Sequence, residues 1–262
     1  MQNIKEIITH AGTMIIPNFL GDEQLEIIRL HADEMGPVRG QDQNPSWVNP
    51  DKPETHPENW LDWSHYWTRQ CGEDKEVQSI MRRLHPIVDH CLHEWQWWCV
   101  DYHVANPGAQ YIRAHVDIPY IYEPWRNIHA LLGLQMIIAI DDFTLDNGAT
   151  AYLPRSHNNI ELDISEIGSE ELNEALLHKG ERLAVRAGGL LIYHPRTLHS
   201  TMPNITNEPR RALLFNAVET SVVDQLKQYD PVCWPENMDK NLKSYSHIQM
   251  SKWDAPKLVE PD

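Results

Sequence analysis

Two stretches of helical recurrence followed by a run of short strand-like segments predict a mainly β chain with flanking helices. Such a run closes most economically as a double-stranded β-helix, a jelly-roll or cupin-like barrel. The strand-like segments are bounded by Gly, Pro and Asn turns, and no internal repeat competes with that reading.

The first helix is expected at residues 22–35, where Leu25, Ile28 and Leu30 recur at loosely helical spacing among strong helix formers. The second is expected at residues 74–98. There Val77, Ile80, Met81, Leu84, Ile87, Val88, Cys91, Leu92 and Trp95 keep helical spacing, and Pro86 should kink it. Strands follow at 99–106 and 110–118, joined at Pro107-Gly108, and then at 128–141, 149–153, 182–185, 190–194 and 211–218. A short helix interrupts them at 169–179. Ser169 is its expected N-cap, and Glu170 and Glu171 put negative charge in its first turn.

A chain of 262 residues allows one large domain or two ordinary ones. All-β barrels of this size are often single, so one domain over 1–262 is expected, with an insertion at about 41–71. That insertion holds Trp47, Trp60, Trp63 and Trp67 with His56, His65 and Tyr66. Long loops without repeating structure are usually functional, which predicts a lid with aromatic walls over a substrate. The alternative is that each ring anchors the loop to the barrel.

Composition narrows the function. The net charge of −16 argues against nucleic acid and anionic membranes as partners. No apolar run approaches a membrane span, and the first residues carry no signal-peptide core. Cys71, Cys91, Cys99 and Cys233 form no CxxC pattern and read as reduced thiols of a cytoplasmic protein. A small-molecule substrate is the expected partner.

The chemistry-bearing pattern is His115-Val116-Asp117 with His199 downstream and Arg210 eleven residues later. Two imidazoles and one carboxylate are the facial ligand set of non-haem Fe(II), which leaves open coordination positions. With 15 His and 38 acidic residues in 262 positions, chance supplies about two His-x-Asp/Glu triplets, and three occur. Geometry separates them. His31 and Asp33 lie on the first helix, where residues two apart point to opposite sides. His56 precedes Pro57 in a polar loop. His115 and Asp117 lie in a strand-like run, where i and i+2 share a face. Downstream, His199 is preferred as the third ligand and His194, immediately before Pro195, competes with it. A buried arginine nearby would suit an anionic keto-acid.

In combination these residues resemble the phytanoyl-CoA dioxygenase family of Fe(II)/2-oxoglutarate-dependent oxygenases. The resemblance spans roughly residues 12–220. It is carried by 12–20 with the following helix, by His115-Val116-Asp117, by 140–150 with Leu153-Pro154-Arg155-Ser156-His157, and by His199 through Asn204 to Arg210-Arg211-Ala212. It implies iron ligands His115, Asp117 and His199. It also implies that Arg210 pairs with the distal carboxylate of 2-oxoglutarate, helped by Thr201 and by a central-strand group, here Gln135. Bidentate recognition explains an Arg there, and Arg211 should point the other way. Asn147-Gly148 and residues 154–157 should shape turns. The implied cofactors are Fe(II), 2-oxoglutarate as co-substrate and O2, with ascorbate as a stimulant. The implied reaction is oxidation of an unactivated C–H bond of a small metabolite or natural product, releasing succinate and CO2. Halogenating relatives carry a small residue at the position of Asp117, so its carboxylate favours hydroxylation. Two other readings stand beside this one: a catalytically silent jelly-roll that binds a ligand, and a cupin-like metalloenzyme that uses no keto-acid.

Overall fold

The computed structural model describes residues 3–35, 66–109, 111–112, 114–120, 125–159, 162 and 169–229. The expected insertion therefore lies largely outside the described residues. Its last part, Tyr66–Gln70, is strand β2.

Two antiparallel sheets form the body, the arrangement of a jelly-roll. The larger has six strands in the order β1-β7-β4-β9-β3-β2, where β1 is Thr13–Ile16, β3 Trp95–Ala105, β4 Gly133–Ala139, β7 Leu190–Tyr193 and β9 Arg210–Glu219. The smaller runs β6-β5-β8, from Glu181–Arg182, Ala151–Tyr152 and His199–Ser200.

Alternation gives the larger sheet two different faces. On β3, Val100, Tyr102 and Val104 point outward; on β4, Leu134, Met136 and Ile138; on β9, Leu213, Phe215 and Ala217. These meet helices α1 (Ile4–Ala11), α2 (Asp22–Met35) and α3 (Lys75–Cys91), through Ile8, Ile28, Val77, Ile80 and Leu84. This is the main core. Truncating a fully buried residue such as Leu84 to Ala should cost about 2–5 kcal/mol. The inner face carries Ile137, Leu191 and Ala212, packed against Phe143 and Leu183.

A bulge decides what the inner face presents. Register slips between Trp97 and Cys99, leaving Trp98 without an opposing residue on β9. Trp97 and Val100 thereby both reach the outer core, and Cys99, Asp101 and His103 are turned inward.

Several expectations change. The helix expected over 74–98 ends at Cys91, and Trp95–Trp98 begin β3 instead. Rings at helical spacing also suit a strand, and pairing with β9 wins. The helix continues through Pro86. Of the strand expected at 110–118, the described residues form no ladder, only one isolated bridge, His115 to His199. The segments expected at 128–141, 149–153 and 182–185 shorten to β4, β5 and β6, with Val185 making only a bridge to Phe143. Helix α4, Glu170–Lys179, begins as expected, with Ser169 Oγ accepting from Leu172 N at 3.3 Å. Two helices were not foreseen: α1, and α5 at Thr220–Tyr229, whose Val222 and Val223 are buried. No helix among the described residues is long and apolar enough to cross a membrane.

Candidate active site

His115, Asp117 and His199 converge between the two sheets, and their ligand atoms lie within 4.8 Å of one another. Backbone pairing brings them there. His115 N donates to His199 O at 3.0 Å, and His199 N returns to His115 O at 2.9 Å. Asp117 N donates to Pro195 O at 2.7 Å. Flanking side chains hold both segments: Asn173 of α4 accepts from Ala114 N at 2.7 Å, and Ser156 Oγ accepts from Leu198 N at 2.8 Å.

The side chains are oriented for a cation. His199 Nδ1 lies 2.9 Å from Thr197 O, so this nitrogen carries the proton and Nε2 presents its lone pair. Burial pushes the His199 imidazole down to about 4, which keeps it neutral, the form that binds metal. Asp117 Oδ2 is buried, 3.5 Å from His199 Nε2, and receives no hydrogen bond. Burial pushes the Asp117 carboxyl up to about 6, against the opposing influence of His115. An uncompensated carboxylate oxygen facing two imidazoles is costly unless a cation sits there, so the donor set fits a divalent metal.

Tyr193 extends the site in a way the sequence reading missed. Its hydroxyl lies 3.2 Å from His199 Nε2. Gln135 donates to that hydroxyl, which in turn donates to Asp117. Tyr193 was read only as part of a buried strand. The available signal was its inward alternation with Leu191, two residues earlier.

His194 is placed elsewhere. It is fully buried, its Nδ1 accepts from Arg196 N at 3.1 Å, and its ring packs 5.0 Å from His157 and 5.3 Å from Tyr120. Burial pushes it down to about 3. His31 and Asp33 separate as helical geometry requires: His31 reaches Asp74 at 3.0 Å, and Asp33 takes Arg211.

Arg210 is 1 % exposed and inside, with its guanidinium 4.5 Å from the Phe143 ring centroid. Arg211 faces the helices and pairs with Asp141 at 2.8 Å. Thr201 is half-buried, and its carbonyl accepts from Ile112 N at 2.9 Å. Gln135 lies on one row across the sheet with Tyr193, Asn216 and Cys99. The next row is Leu191, Ile137, Leu214 and Asp101, and the next brings Ala139, Ala212 and His103. His103 is pushed down to about 3 by burial and by Arg210. Asp101 is pushed up to about 6 by burial.

The turn residues do what their types imply. Asn147 Nδ2 donates to Asp142 O at 2.6 Å, and Asn147 Oδ1 accepts from Thr144 N at 2.8 Å. Gly148 has φ 90°, and a Cβ there would meet Met202 O at 2.7 Å. Asn204, fully buried, donates to Ala105 O and Glu208 O, closing the loop that leads into Arg210.

Solved structures share this architecture. The epimerase SnoN from nogalamycin biosynthesis superposes with a TM-score of 0.63 at 14 % identity, covering 83 % of this chain and 82 % of its own. HygX from Streptomyces hygroscopicus, with nickel and 2-oxoglutarate bound, gives 0.59 at 13 %, covering 84 % and 87 %. The carbocyclase SnoK from nogalamycin biosynthesis gives 0.58 at 18 %, covering 84 % of each. At such identities the likeness speaks for the fold. The family model described as phytanoyl-CoA dioxygenase matches residues 8–212. The chain belongs to the phytanoyl-CoA dioxygenase family and is a 2-oxoglutarate-dependent, non-haem iron enzyme.

Proposed function

We propose that the protein hydroxylates an unactivated C–H bond of a small metabolite or natural product, with His115, Asp117 and His199 as its iron ligands. The observation that supports this most is the convergence of three ligand atoms, one of them a buried carboxylate oxygen without a hydrogen bond. The chemistry supplied by bound Fe(II) is O2 activation coupled to decarboxylation of 2-oxoglutarate.

The chain's own residues account for the rest. Arg210, buried and preset against Phe143, pairs with the distal carboxylate of 2-oxoglutarate, and the Thr201 hydroxyl assists. Gln135 acts through Tyr193, whose hydroxyl steers the Asp117 carboxylate. The apolar wall of Ile137, Leu191 and Phe143 keeps water from the reacting C–H. The carboxylate at Asp117 leaves no place for a halide ligand, which favours oxygen transfer. Solved relatives include structures with nogalamycin RO and hygromycin B bound, which supports a small natural product as substrate. A net charge of −16 disfavours a phosphate-rich thioester.

The chain acts as one domain with residues 41–71 as a lid. Free thiols at Cys71, Cys91 and Cys99 favour a reducing, cytoplasmic setting. The test is a substrate screen under Fe(II) and ascorbate that measures 2-oxoglutarate consumed and succinate released. Turnover that ignores 2-oxoglutarate would favour a keto-acid-free metalloenzyme. No succinate with any substrate, and none without one, would favour a silent binding protein.

A further inference from the structure

We propose that Asp101 is the substrate-recognition residue of this pocket and that it receives a protonated amine, which makes the substrate an amine-bearing small molecule. The inference rests on reading the site as that of a 2-oxoglutarate oxygenase.

Position is the first argument. The Trp98 bulge turns Asp101 to the inner face, between Cys99 and His103. Along its row Ile137 and Leu191 are buried, Leu214 lies directly opposite on β9, and Gln70 of β2 pairs with Asp101 on the other side. Asp101 and Leu214 remain partly exposed, whereas Ile137 and Leu191 are buried. A carboxylate only partly exposed beside apolar neighbours is poorly solvated and needs a partner.

The second argument is the absence of that partner. Among the described residues, Asp101 forms no ion pair, and its one side-chain neighbour by hydrogen bond is the Cys99 thiol. Arg210 does not serve it, because Arg210 lies beyond the next row, beside His103. Charge balance points the same way. Ferrous iron and Arg210 bring three positive charges, and 2-oxoglutarate with Asp117 brings three negative ones. Among the described residues Asp101 is the charge left over in that sum, and a cationic substrate group compensates it.

The third argument is a shortage of donors. Gln135 Oε1 and Asn216 Oδ1, on the adjoining row, are buried without a hydrogen-bond partner. The Gln135 amide is oriented by its donation to Tyr193, so its oxygen is left as an acceptor. A carboxylate and two amide oxygens on neighbouring rows suit a group with several N–H donors, as an ammonium has. A substrate without donors would leave both amide oxygens unsatisfied, and a neutral one would leave the Asp101 charge unbalanced.

The experiment uses matched pairs: putrescine, spermidine, glucosamine and amino-acid amides, each against its N-acetyl form. The readouts are stimulation of 2-oxoglutarate consumption by the iron-loaded protein and the thermal shift of Ni(II)- and 2-oxoglutarate-loaded protein. Wild type should prefer the free amine in at least one pair, by roughly tenfold or more, the scale of one charged hydrogen bond. Asp101→Asn should abolish that preference, and Asp101→Glu should keep part of it. A ratio within each pair is unaffected by how much of a variant folds. Equal responses to both members, no response to any free amine, or an unchanged ratio in Asp101→Asn overturns the proposal. Failure of wild type to gain thermal stability from Ni(II) with 2-oxoglutarate overturns the underlying oxygenase reading instead.

Discussion

Replacing Arg210 by Lys isolates what a planar fork contributes at this position. The guanidinium is 1 % exposed and stacked 4.5 Å from the Phe143 centroid. Lysine keeps the charge but loses one of two parallel hydrogen bonds to a carboxylate. A hydrogen bond to a charged group contributes about 1.5–3 kcal/mol, so 2-oxoglutarate should bind about 10- to 150-fold more weakly. Because this contact exists in the ground state, the apparent KM should rise while turnover at saturation changes little. Calorimetric titration of 2-oxoglutarate into Ni(II)-loaded protein measures the first effect, and steady-state kinetics the second. Arg211→Lys is the control. Arg211 faces Asp141 across the outer side, so its replacement should leave 2-oxoglutarate binding alone and lower stability by about 1 kcal/mol or less. The reverse pattern in the two variants would falsify the assignment and mean that the last strand is read one residue out of register.

Loss of a ligand should show in metal binding itself: Asp117→Ala or His199→Ala should lose Ni(II) affinity and all iron-dependent turnover while keeping the wild-type circular dichroism spectrum. Full activity in His199→Ala would move suspicion to His194. The Asp117 carboxyl also ties apo stability to pH. Burial raises it from 3.8 to about 6, so the folded state holds this proton up to about pH 6 and the unfolded chain only to about 3.8. Its effect is therefore destabilising above pH 6 and fades as pH falls towards 4. Metal-free Asp117→Asn should exceed wild type by roughly 2–3 kcal/mol at pH 7 and match it near pH 4 in urea titrations; a difference independent of pH would contradict this. For the lid, hydrogen exchange in residues 41–71 should slow when substrate joins iron and 2-oxoglutarate, and Trp63→Ala should consume 2-oxoglutarate without matching product. Anchoring rings would instead lower the melting temperature and leave that ratio at one.

What could be read from the chain depended on how local each signal is. The Asp22–Met35 helix, the Ser169 cap and the inward–outward split of Arg210 and Arg211 rest on near neighbours, and each stands in the structure. The helix expected to run to residue 98 failed because Trp95 continues the helical spacing from Cys91 and Leu92 yet also alternates with Trp97 as in a strand, and only β9 decides between the two. The run carrying His115 looked like a strand because its side chains alternate. Among its described residues the backbone makes a single bridge, and alternation cannot distinguish that from a ladder. Helix α1 left a sign that was passed over: Ile4 and Ile8 one turn apart, closed by Gly12 at φ 85°. The inward set Cys99, Asp101 and His103 was visible as polar residues alternating with Val100, Tyr102 and Val104, but its direction depends on the bulge.

The two histidine segments are laced to each other by main-chain hydrogen bonds, 84 positions apart along the chain, with Asp117 tied to Pro195. In zinc fingers the metal's binding energy is folding energy, whereas here main-chain amides and carbonyls tie the ligand segments together. Loss of the metal is therefore expected to cost this chain its activity more than its fold.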